Sequence, residues 1–108
     1  MAALGFSDNA ADIVVFRKAI FRMILSRAKA RLTDPTDIDQ LDISRASEGI
    51  SFELLDDEQR ARLVEAVFEA TQSLKEEIES GKPVEELVRE GIEEKLDEIL
   101  ALLARFRR

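Results

Sequence analysis

The chain has 108 residues, no cysteine, no histidine and a formal charge of −7. The two missing residue types exclude disulfides, thiolate nucleophiles, histidine acid–base chemistry and any metal site built on either ligand. Hydrophobic residues at 45% and charged residues at 36% describe a folding chain with solvated faces, and this length suffices for one modest core.

With four Gly, two Pro, no Trp and no Tyr, the composition favours long helices over a strand-rich fold, which needs more turn residues. The predicted fold is all-α, a single helical domain over 1–108. Three long helices (about 8–32, 56–80 and 83–107) form an antiparallel bundle, with a structured connector at 33–55.

The N-terminal MAALGFSDNAADIVVF carries no basic residue ahead of its apolar run, so a signal peptide is not expected. No apolar run reaches the roughly 20 residues of a membrane span. The expectation is a cytoplasmic protein with no membrane contact. Ser7, Asp8 and Asn9 are good N-cap residues, and a helical pattern follows from Asp12. Ile13, Phe16, Ile20, Met23 and Ile24 fall on one stripe; Val14, Phe21, Leu25, Ala28 and Leu32 form a second beside it. Together they cover more of the helix than a one-sided surface helix buries. Lys18, Arg22 and Lys29 share the opposite face. Thr33-Asp34-Pro35 ends this helix, because the residue before proline is pushed out of the α region.

The connector opens with TDPTDIDQLDIS, which holds Asp34, Asp37, Asp39 and Asp42. Only Asp37 and Asp39 have the alternate spacing of a calcium loop, and no glycine follows them. Capping of turns by the four carboxylates is the better reading, with Ile38, Leu41 and Ile43 as anchors. SRASEG at 44–49 reads as a short helical turn ended by glycine. Residues 49–54 alternate as a strand would, but without an evident partner, so an extended or single-turn segment is expected there.

Asp56-Asp57-Glu58 opens the second helix, placing acids at its positive end. Leu63, Val67, Ala70, Thr71, Leu74 and Ile78 form its apolar stripe. SGKP at 80–83 breaks the chain, and the third helix then carries Val84, Leu87, Val88, Ile92, Leu96, Ile99, Leu103 and Phe106 on one face. Its acidic residues, Glu86, Glu90, Glu93, Glu94 and Asp97, recur at three- and four-residue steps and read as a solvated outer face.

Charge is unevenly spread. Six basic and two acidic residues give positions 1–33 a charge of +4; nine acids and Arg45 give 34–58 a charge of −8. No nucleophile elbow, phosphate-binding glycine loop or available base appears, so neither an enzyme, a cofactor nor a small-molecule substrate is expected. The expected function is a non-catalytic protein–protein interaction or regulatory module. It would self-associate, as a homodimer, through the apolar faces of helix one (Phe21, Leu25) and of the C-terminal half of helix three (Leu100, Leu103). Lys18, Arg22 and Lys29 offer a strip for an acidic protein partner. Two alternatives use charge instead: a nucleic-acid-associated regulator working through that strip, disfavoured by the net acidity, or an acidic inhibitor covering a basic partner.

Overall fold

The computed structural model describes residues 1–81 and 91–107. Among them the chain forms strands β1 (Ala2–Gly5), β2 (Ile13–Phe16) and β3 (Gly49–Ser51). Four α-helices accompany these strands: α1 (Lys18–Lys29), α2 (Pro35–Ser47), α3 (Asp57–Glu79) and α4 (Ile92–Phe106). The all-α three-helix bundle is therefore corrected to a mixed fold, in which helices pack against a three-stranded sheet ordered β2-β1-β3.

The first correction lies at the N-terminus. Ile13-Val14-Val15 is a β-branched run, whose stiff side chains favour extended backbone. It pairs antiparallel with β1, placing Ala2 opposite Phe16 and Leu4 opposite Val14. The connecting loop is fixed by its own polar residues. Asn9 accepts from the Ala11 N–H and Ser7 donates to Asp12, while the Phe6 N–H donates to the Asp12 carbonyl. Asn9 does act as a cap, but of a single 3-10 turn at Ala10–Asp12. The helix begins only at Lys18.

The second correction is in the connector. Pro35, read as a helix stop, sits in the first turn of α2, where its missing N–H costs nothing. Asp34 caps that helix by accepting from the Thr36 N–H. Only Asp37, Leu41 and Ser44 of α2 are buried. Glu48 ends it in the left-handed conformation, φ 61°, and turns the chain into β3. β3 runs parallel to β1, with Ile50 beside Leu4, so the strand that lacked a partner in the sequence pairs with the N-terminus.

Alternation in the strands puts Ala2, Leu4, Phe16 and Ile50 on the buried face. Helices cover that face. Phe6 stacks between Phe52 and Phe106, at centroid distances of 4.7 and 3.9 Å, and so ties the end of β1 to the end of α4. The order of the ion pairs shows that α3 runs antiparallel to both of its long neighbours: Arg27 meets Glu77 and Arg31 meets Glu69, while Lys75 meets Asp97 and Arg107 meets Glu65. The segment 83–90 of the expected third helix, including Val84, Leu87, Val88, Glu86 and Glu90, lies outside the described residues. Gly91, at φ 73°, precedes α4. Among the described residues no helix is long and apolar enough to cross a membrane.

Candidate functional site

The seven residues singled out in the sequence separate into two groups. Phe21, Leu25 and Leu103 are buried in the chain's own core, each at most 4% exposed, and Leu100 packs partly buried against it. The excess apolar width of helix one thus meets a sheet and two further helices. Lys18, Arg22 and Lys29 remain exposed on α1.

Their surroundings differ. Lys18 pairs with Glu48 at 2.8 Å, and Lys29 pairs with Asp42 at 2.8 Å. Both pairs are solvated, so water screens them and each adds little to stability. The Lys18 hydrogen bond, aided by the charges of Lys18, the N-terminus and Arg22, holds the Glu48 carboxyl below its usual range. Neither the side chain of Arg22 nor that of Arg45 on α2 makes a hydrogen bond or ion pair among the described residues.

Arg22, Ser26 and Lys29 lie at helical steps of four and three, so they share one face of α1. Leu41, Asp42 and Arg45 stand along the facing side of α2. With Leu25 they line a concavity of about 200 Å³ between the two helices. Leu25 and Leu41 are buried beneath it, so its basic groups stand on two packed helices. Three cations and one carboxylate surround the concavity, in a protein whose net charge is −7.

Sequence reasoning missed Arg45 and Ser26. Arg45 could not be phased while 33–55 was read as an irregular connector. The spacing of Asp37, Leu41 and Ser44 was the available signal, but two of those three are polar. Ser26 lies four residues from Arg22, a step that becomes informative only once α2 stands beside it.

Three further concavities have committed cations; in one of about 410 Å³, Lys95 pairs with Glu98 and Arg105 with Asp12. A depression of about 460 Å³ is lined by Arg31 and Arg62, but Arg62 binds the buried Asp37 through two hydrogen bonds of 2.7 and 3.1 Å, and Arg31 faces Glu69. A third, of about 210 Å³, holds Arg60 and Arg107. Arg60 donates to the carbonyls of Phe52, Glu53 and Leu55, and Arg107 forks onto Glu65. The Arg22–Arg45 pocket is therefore the candidate site: it presents guanidinium donors that no other described group uses. No family model, curated protein or solved structure matches this chain.

Proposed function

We propose that the protein is a non-catalytic interaction module that docks an acidic partner protein on the basic face shared by α1 and α2. The observation that supports this most directly is the pair of unpartnered guanidiniums, Arg22 and Arg45, facing one pocket with Ser26 and Lys29. Guanidiniums fork onto carboxylates, and clusters of them are a recurrent means of reading acidic motifs. The lack of histidine and cysteine supports the non-catalytic part. A protein partner is favoured over a nucleic acid because three cations beside one carboxylate make a smaller footprint than the dense Lys/Arg surface a phosphate backbone needs. Self-association was expected from Phe21, Leu25, Leu100 and Leu103; three of these are buried in the core and Leu100 packs partly buried against it, so the proposal rests on charge. A cytoplasmic setting is carried with it and is open to cell fractionation.

The test is a paired capture from the native lysate after nuclease treatment, using the tagged wild-type chain and the Arg22→Glu/Arg45→Glu variant. The expected result is an acidic protein retained by the wild type and lost from the variant. Identical capture by both chains would contradict the proposal.

A further inference from the structure

The chemistry of the pocket also bears on which acidic group the partner presents, an inference that rests on reading this face as a docking surface. The geometry points to a phosphate group on a partner side chain, of the phosphoserine type, as the occupant of the Arg22–Arg45 pocket. Four observations carry it.

The first is charge. Among the lining residues Arg22, Lys29 and Arg45 stand against Asp42, a local excess of two positive charges, and Glu48, which feels Arg22, is paired with Lys18. A phosphomonoester carries about −1.5 to −2 near neutrality, which matches that excess, whereas a carboxylate carries one. The second is donor count. Two guanidinium forks and the Ser26 hydroxyl, which has no hydrogen-bond partner among the described residues, suit three acceptor oxygens better than the two of a carboxylate.

The third is size. A concavity of about 200 Å³ falls below the roughly 300–1,000 Å³ of sites that enclose a whole small molecule. No aromatic ring lines it, so a nucleobase would find no stacking surface. The pocket fits one charged group while the rest of its bearer stays outside. The fourth is placement. Asp42 is held by Lys29 and Glu48 by Lys18, so neither nearby acid bonds to the two arginines.

The test uses the complete chain and three probes followed by amide NMR at low salt. One is a short acidic peptide carrying phosphoserine, one is the same peptide with glutamate in its place, and one is inorganic phosphate. The phosphopeptide is expected to bind at least about tenfold more tightly than the glutamate peptide, with shifts centred on Arg22, Ser26 and Arg45. Arg22→Gln or Arg45→Gln loses that preference, whereas Arg17→Gln, at an exposed cation outside the pocket, keeps it. Glu48→Gln, which removes an acid felt by Arg22, tightens binding. Equal binding of the two peptides overturns the phosphate inference while leaving the acidic-partner reading intact. Inorganic phosphate binding as tightly as the phosphopeptide overturns it in favour of a free anion. Failure of all three probes to bind overturns both.

Discussion

Asp37 is 1% exposed, yet it is charged, because Arg62 forks onto both of its oxygens. The arginine itself keeps 45% of its side chain in water, and this asymmetry makes the two truncations unequal. Arg62→Ala strands a buried carboxylate and should lower the urea midpoint more than Asp37→Asn does. Asp37→Asn leaves the guanidinium to water and should cost about 1–2 kcal/mol. The hydrogen bond from Arg62 outweighs burial and holds the Asp37 pKa below its ordinary value of 3.8. The resulting stabilisation is fully present above that value and is lost as pH falls through the lower folded pKa. Urea midpoints from about pH 7 down to about pH 2.5 should therefore fall less steeply for Asp37→Asn than for the wild type. In Arg62→Ala the largest cause of that lowered pKa is gone, so less stability is lost in acid and the variant's deficit should narrow as pH falls. If the two variants are equally stable at neutral pH, the buried pair is misjudged.

This pair also marks how far the aspartate-rich stretch could be read in the sequence. Capping describes Asp34, whose side chain meets the Thr36 N–H two residues away. It does not describe Asp37, whose partner lies 25 residues along the chain. Local chemistry is visible in a local pattern. A bond across that separation depends on how α2 meets α3.

At the scale of elements, the sheet carries the main departure from the sequence reading, and Gly49 is where it can be tested. A Cβ at Gly49 would sit 3.1 Å from the Ala3 carbonyl oxygen, a backbone atom of the paired strand. Gly49→Ala should therefore cost about 1–3 kcal/mol, read as a lowered thermal midpoint. An unchanged midpoint would contradict so close and unyielding an approach of β3 to β1.

The helical content of 56–80 was legible because α3 carries a sustained 3.6-residue stripe, from Leu63 through Leu74. The strands were not, for two reasons. Ile13 and Phe16 fall three residues apart, which also suits a helix, and the β-branched run between them was outweighed. β1 is Ala-Ala-Leu-Gly, whose composition signals nothing extended; its pairing comes from β2 on one side and β3 on the other. α2 was hidden for the opposite reason. Its buried side chains are two polar residues and a single leucine, so no apolar period announces it.

Across the whole molecule, the charge asymmetry of the sequence becomes a spatial one. Lys18–Glu48 and Lys29–Asp42 join the basic N-terminal region to the acidic segment that follows it, and Arg105–Asp12 joins the C-terminal helix back to the N-terminal loop. Of the candidate site, the cationic strip on α1 was legible, because it opposes an apolar stripe. The second wall was not, because Arg45 acquires its meaning from the packing of α2 on α1. The same packing that absorbs Phe21 and Leu25 into the core leaves Arg22 and Arg45 uncommitted above it.

The most direct test of the central claim is an amide NMR map of the full chain titrated with polyglutamate at low salt. Shifts are expected to concentrate on residues 18–29 and 41–48, to be suppressed by added salt and to be absent from Arg22→Glu/Arg45→Glu. Shifts spread evenly over the surface, centred on the sheet edge, or unaffected by that double substitution would contradict it.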